Sequence, residues 1–129
     1  MVPALLLLTA VLLAGSPAVG AGPAPQPETV AKNLAQNVLG EGTVRSVRVS
    51  ADRGEVDIAW DAVLYRPSQT PAVNREQLRG EAELATGSIL GVMKPRVIRF
   101  TILVGVEPIA RGTRTWEAFT ITYAQGLGK

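Results

Sequence analysis

The sequence predicts an α+β domain, a two-layer sandwich in which two helices cover one face of a four-stranded, mainly antiparallel sheet. Apolar residues recur at helical spacing in two segments and alternate with polar residues in four others. The order is helix, strand, strand, helix, strand, strand, which layers naturally as helices on a sheet. With 129 residues, 47% of them hydrophobic, the chain fits one small domain with a single core.

Residues 1–21 are predicted to be a secretory signal peptide. Residues 2–13 are almost wholly apolar and are followed by small residues from Gly15 to Ala21, a pattern typical of such signals. No Lys or Arg precedes the apolar run, so an uncleaved membrane anchor is the alternative. Residues 22–27 form a Pro-rich linker, residues 28–124 the domain and residues 125–129 a frayed tail.

The first helix is predicted over residues 28–39. Val30, Leu34 and Val38 follow one helical row, an alanine-containing row adjoins it, and Gly40 is a typical helix stop. The second helix is predicted from an N-cap at Asn74, with Gln77 completing a capping box, to Lys94.

A hairpin is predicted between the helices. Its strands carry Val47 and Val49, and Val56 and Ile58, on one face, and Asp52-Arg53-Gly54 has turn chemistry. With the tip at Asp52 and Arg53, the register pairs Val47 with Ile58, Val49 with Val56 and Arg48 with Asp57. Apolar pairs on one side and opposite charges on the other favour this register.

The last two strands are predicted over residues 96–106 and 114–124, with a connector over residues 107–113 that contains Pro108 and Gly112. The predicted core collects one apolar face from each element: Leu34, Val38, Ile58, Trp60, Ile89, Phe100 and Ile102.

The composition excludes several kinds of chemistry. The chain has no His and no Cys, so it holds no imidazole base, thiol nucleophile, disulfide or thiolate metal site. Asp57 and Asp61 lie four residues apart on one strand, about 13 Å, which is too far to share a proton. No catalytic motif is present, and we predict no catalytic residue, no metal and no cofactor.

Arginines and a tryptophan near the last strands form the candidate binding residues: Arg99, Arg111, Arg114 and Trp116. Arginine binds carboxylate and phosphate with two donors. Gly112 would let backbone N–H groups approach an anion, and an exposed Trp116 beside arginines would be an interface anchor. The alternative is a polar hairpin connection whose charges protect a sheet edge.

These observations predict a non-enzymatic exported domain, periplasmic or extracellular, that binds an envelope protein or an anionic polymer and no nucleic acid. Two alternatives stay open. One is a small envelope enzyme that uses only carboxylate, Ser or Tyr chemistry, and a clustered Asp/Glu cleft would favour it. The other is a structural subunit anchored to the membrane by residues 1–21, and an exposed apolar patch would favour it.

Overall fold

A computed structural model describes residues 25–127 of the chain. The predicted signal peptide and residues 22–24, 128 and 129 lie outside the described residues. The elements in chain order are α1 (Pro27–Leu39), β1 (Val44–Val49), β2 (Glu55–Asp61), α2 (Pro71–Met93), β3 (Val97–Val104), β4 (Glu107–Arg114) and β5 (Phe119–Tyr123).

The strands form one mixed sheet in the order β1-β2-β3-β4-β5. β2 and β3 are parallel and are connected through α2, whereas the other neighbours are antiparallel. The α+β class is confirmed, but the prediction of four strands is wrong. The predicted connector over residues 107–113 is β4, and the predicted last strand splits into the end of β4, a turn and β5. Gly105, at φ 64°, allows the tight turn that folds β4 back on β3.

The first hairpin has the predicted register, with Val47 opposite Ile58 and Arg48 opposite Asp57. Its turn is held by the Asp52 carboxylate, which accepts hydrogen bonds from the Ser50 hydroxyl at 2.7 Å and the Gly54 N–H at 2.9 Å. Local turn chemistry and side-chain alternation therefore suffice to set this pairing.

α1 buries its alanine row, and the predicted core position of Val38 is wrong. Ala31 and Ala35 are fully buried, whereas Val38 is 43% exposed and Leu34 is half-buried. The small side chains allow α2 to come close enough for the Ser88 hydroxyl to donate to the Leu34 carbonyl at 3.2 Å. Of its two adjoining apolar rows, α1 buries the row that has the smaller side chains in the core.

α2 begins earlier than predicted. Thr70 is the N-cap, and its hydroxyl accepts a hydrogen bond from the Val73 N–H at 3.2 Å. Asn74 is buried inside the first turns, where its side chain bonds both the N–H and the carbonyl of Arg66. The predicted cap at Asn74 is wrong because this residue fastens the preceding loop to the helix.

The core lies between the helices and the sheet. The rings of Trp60 and Phe100 stack with centroids 5.8 Å apart, and those of Phe100 and Phe119 with centroids 5.7 Å apart. Gly112 on β4 makes the second contact feasible, because a Cβ there would collide with the Phe100 ring and with the Thr120 carbonyl. The predicted core residues Ile58, Ile89 and Ile102 are also buried.

The described part of the C-terminal tail is anchored. Leu127 is buried, and its carbonyl accepts a hydrogen bond from the Arg75 guanidinium at 2.7 Å. Neither helix within residues 25–127 is long and apolar enough to cross a bilayer.

Candidate functional site

The face of the sheet opposite the helices is uncovered in the described part of the chain. Side chains alternate between the two faces of a strand, and those of Val56, Phe100 and Tyr123 point toward the helices. Their neighbours along each strand therefore point outward and form the open face, whose polar members are Ser46, Arg48, Glu55, Asp57, Asp61, Arg99, Thr101, Arg111, Thr113, Thr120 and Thr122.

The centre of the open face is a ladder of ion pairs around Arg99. Its guanidinium donates to Glu55 at 2.6 Å and to Asp57 at 2.8 Å, and these bonds raise the pKa of Arg99 above its ordinary value. The parallel pairing of β2 with β3 places Arg99 directly opposite Asp57. The arginine is thus occupied by carboxylates of its own chain.

The remaining carboxylates nearby are also paired. Arg45 holds both oxygens of Asp61, at 2.8 and 3.0 Å, and Arg96 donates to Asp52 at 3.0 Å. Hydrogen bonds from Ser50, Gly54 and then Arg96 hold the pKa of Asp52 well below its ordinary value. Within residues 25–127 no group of acidic residues is arranged to hold a metal ion.

Arg48 does not form the expected ion pair with Asp57. It lies opposite Asp57 in the register, yet Asp57 accepts from Arg99, and Arg48 makes no salt bridge with any described residue. A shallow depression of about 550 Å³ separates Arg48 from Arg99, with the small side chain of Ala59 in its lining. Sequence reasoning missed this free cation because it did not predict the pairing of β2 with β3.

Arg111 lies in a second depression, of about 450 Å³, on β3, β4 and β5. The lining side chains of the open face are Arg99, Thr101, Arg111, Thr113, Thr120 and Thr122. Arg111 is exposed and forms no salt bridge within the described residues. We call this depression the threonine basin. It combines one uncommitted guanidinium with several hydroxyl groups.

Arg114 lies on the opposite side of the sheet from Arg111. Its side chain points toward α2, where the guanidinium donates to the Thr86 hydroxyl at 3.3 Å and lies 5.8 Å from the centre of the Phe119 ring. The structure therefore does not bring Arg111 and Arg114 together in one site, because residues three apart on a strand have opposite orientations.

Trp116 lies in the turn between β4 and β5 and is 60% exposed. The turn is closed by the Thr115 N–H, which donates to the Ala118 carbonyl at 2.8 Å, and by the Thr115 hydroxyl, which accepts from the Ala118 N–H. Trp116 is therefore exposed at a turn and does not form part of a strand. Gly112 lies beneath the Phe100 ring and not in an anion-binding loop.

Glu81 is a buried acid that the sequence analysis did not single out. One carboxylate oxygen accepts from the Trp60 indole N–H at 3.2 Å, and the other accepts from the N–H groups of Val63 and Leu64 at 3.0 and 2.7 Å. Both oxygens are satisfied, so the residue ties the segment after β2 to α2.

An apolar groove of about 310 Å³ lies beside Glu81 in the helix layer. Val38, Leu64 and Leu84 line it and are 43%, 47% and 61% exposed. Gly80 forms part of its wall, and no heavy atom lies within 4 Å of the position that a Cβ there would take. The missing side chain at Gly80 thus widens this surface groove.

Comparisons with protein families, with characterised proteins and with solved structures found no match to this chain.

Proposed function

We propose that this protein is an exported, non-enzymatic binding domain whose open sheet face binds an anionic envelope component through carboxylate or phosphate groups. The observation that carries the proposal is the threonine basin, where Arg111 is exposed and forms no salt bridge within the described residues, whereas Arg45 and Arg99 are paired with carboxylates of β2.

The basin suits an oxyanion. A guanidinium offers a planar fork of donors that matches carboxylate and phosphate oxygens. Thr101 lies opposite Arg111 in the register, and its hydroxyl, which has no hydrogen-bond partner among residues 25–127, is able to donate to an anion. The Thr122 hydroxyl donates to the Arg111 carbonyl at 3.4 Å, and those of Thr113 and Thr120 bond each other at 2.8 Å. An anion bound there would add hydrogen bonds to the ion pair.

Arg48 extends the same surface toward β1. It lies three strands from Arg111 in the sheet order, and its register row meets β4 at Thr113, two residues from Arg111, so the two positions are about 16 Å apart at the usual spacings. Two free cations at this separation favour an extended ligand with repeated negative charges over a single small ion.

Export and the absence of catalysis are parts of the same proposal. Export is supported by the apolar run of residues 2–13 and the small residues after it. The non-enzymatic assignment is supported by Glu55, Asp57 and Asp61 on the open face, which are held in ion pairs with arginines of their own chain.

A second candidate function, a structural subunit of an envelope assembly, is favoured by one observation, the apolar groove at Leu64 and Leu84. In that case, Leu84→Lys should release the protein from a large complex to its own size on gel filtration, while Arg111→Gln should leave the complex intact.

The proposed function is tested with two defined polyanions, a short polyphosphate and poly-glutamate, by calorimetry and by amide chemical shifts. Arg111→Gln should weaken binding by about tenfold or more, since charged hydrogen bonds contribute about 1.5–3 kcal/mol. Lys32→Gln, which removes one charge from exposed α1 surface, should bind as wild type does.

The amide shifts should cluster at Thr101, Arg111 and Thr122, and added salt should weaken binding. Equal affinity of the Arg111→Gln variant and wild type, or shifts confined to the helix layer, would show that the open face is not the site.

A further inference from the structure

The two edges of the sheet are built differently. At the β1 edge, side chains of α1 occupy backbone donors: Glu28 accepts from the Val49 N–H at 3.3 Å, and Gln36 accepts from the Val44 N–H at 3.2 Å. An irregularity between Val44 and Ser46 further disturbs this strand. Such features prevent pairing with another strand.

The β5 edge has none of these features. The Ala124 N–H donates to the Ile109 carbonyl of β4 at 2.9 Å, so the even-numbered residues Thr120 and Thr122, opposite Thr113 and Arg111, also direct their backbone groups toward β4. Because alternate residues direct their backbone groups to opposite sides of a strand, those of Phe119, Ile121 and Tyr123 point away from β4. They have no strand partner among residues 25–127.

The sequence of β5, Phe-Thr-Ile-Thr-Tyr, contains no charge and no Pro. It is rich in the β-branched and aromatic residues that favour strands. A neutral, open edge of this composition is a template for a further strand.

We propose that β5 pairs with β5 of a second copy of this chain, antiparallel and centred on Ile121, to form one continuous ten-stranded sheet. About this two-fold axis, Ile121 faces its own copy, Thr120 faces Thr122, and Phe119 faces Tyr123. Threonine pairs and aromatic pairs are favourable cross-strand neighbours. The outward backbone groups of all three odd-numbered residues meet in hydrogen-bonded pairs.

The charges beside this edge are compatible with a second copy. Arg79 of α2 stacks over the Phe119 ring at 4.9 Å and pairs with Glu83 at 3.7 Å. The Arg79 guanidinium is thus paired with an acid of its own chain, and the nearby Arg75 guanidinium donates to the Leu127 carbonyl at 2.7 Å, which limits repulsion between two identical edges. The short strand gives a small interface, so the dimer is expected to be weak and to depend on concentration.

The dimer has a consequence that rests on the proposed function, whereas the dimer itself does not. The pairing joins the open faces of the two copies. Arg111 lies one strand from β5 and opposite Thr122, so the two Arg111 residues would lie about 16 Å apart on one face. An anionic polymer could then contact both copies at once and gain avidity.

The test uses two double variants that differ at a single position. Thr120 and Thr122 are exposed, and the T122K change opposite Arg111 is common to both variants, so its cost in the monomer cancels in the comparison. In T120K/T122K, like charges face each other across the axis, whereas in T120E/T122K each acid faces a lysine of the other copy. Sedimentation equilibrium without ligand should show dimerisation of wild type and a dissociation constant at least about tenfold higher for T120K/T122K than for T120E/T122K.

Amide hydrogen exchange locates the contact. Protection of the Phe119, Ile121 and Tyr123 amides should increase with protein concentration in wild type and stay constant in T120K/T122K. A wild-type protein that stays monomeric, a dimer that leaves these amides unprotected, or equal dimerisation of both variants overturns the proposal. Protection that requires a different protein overturns it in favour of strand addition by that partner. Because ligand is absent, failure of the dimer leaves the proposed function standing, and failure of polyanion binding leaves the dimer standing.

Discussion

At the scale of single residues, Arg111 and Arg114 show how position on a strand decides what an arginine does. Arg114 bonds Thr86 and lies over the Phe119 ring, whereas Arg111 faces solvent. Arg114→Ala should lower the free energy of unfolding by about 1 kcal/mol, through the lost hydrogen bond and cation–π contact. Arg111→Ala should change it by less than about 0.5 kcal/mol. Urea denaturation of both variants measures the difference, and equal losses would contradict the two orientations.

Asp52 makes the first turn sensitive to acid. Its pKa lies well below the ordinary value of 3.8, because the ionised carboxylate accepts from Ser50 and Gly54 and pairs with Arg96. A carboxyl whose pKa is lower in the folded state stabilises the fold above its unfolded pKa, and this stabilisation is lost as pH falls toward the folded value. Asp52→Asn should therefore lower the melting temperature at pH 7, and the difference from wild type should shrink as pH falls below about 4. A difference that is the same at pH 7 and in strong acid would argue against this linkage.

At the scale of elements, β4 depends on Gly112. It lies between the strands that carry Phe100 and Phe119, and the Phe100 ring occupies the space that a side chain would need. Gly112→Ala should destabilise the protein by about 1–3 kcal/mol through overpacking. Gly80→Ala is the matched control, because no heavy atom lies within 4 Å of the position that its Cβ would take on α2. This substitution should leave the stability of the protein unchanged or increase it. Thermal unfolding of the pair checks this, and a tolerated Gly112→Ala would mean that the aromatic stack adapts.

At the scale of the whole molecule, one core joins both helices to all five strands. Trp60 is fully buried in it and Trp116 is 60% exposed, so Trp116→Phe leaves a single fluorescent reporter of the core. Its stability should stay within about 0.5 kcal/mol of wild type. The red shift of Trp60 fluorescence should coincide with the loss of far-UV circular dichroism, as two-state unfolding requires. Two separate transitions would instead indicate that the helix layer and the sheet unfold independently.

The open face is likewise a property of the whole molecule. The sequence does not distinguish the arginines of this face from one another. The order of strands pairs Arg99 with Glu55 and Asp57. It leaves Arg48 and Arg111 without salt bridges among the described residues. Of the candidate binding residues, Arg99 and Arg111 lie on this face, Arg114 lies behind it, and Trp116 lies at its end.

Features that depend on neighbours along the chain are predictable from the amino-acid sequence. Alternation and turn chemistry set the register of Val47 with Ile58, the helical periods located both helices, and the composition excluded imidazole and thiol chemistry. Two features were not predictable in this way. They are β4, which contains Pro108 and Gly112, residue types that are uncommon within strands, and the parallel pairing of β2 with β3. The β2–β3 pairing joins segments separated by α2, so no local pattern encodes it, whereas β4 directly follows β3 after a short turn at Gly105. Alternation along each strand determines which side of the sheet an arginine faces, and the pairing of distant strands determines whether a carboxylate meets it there.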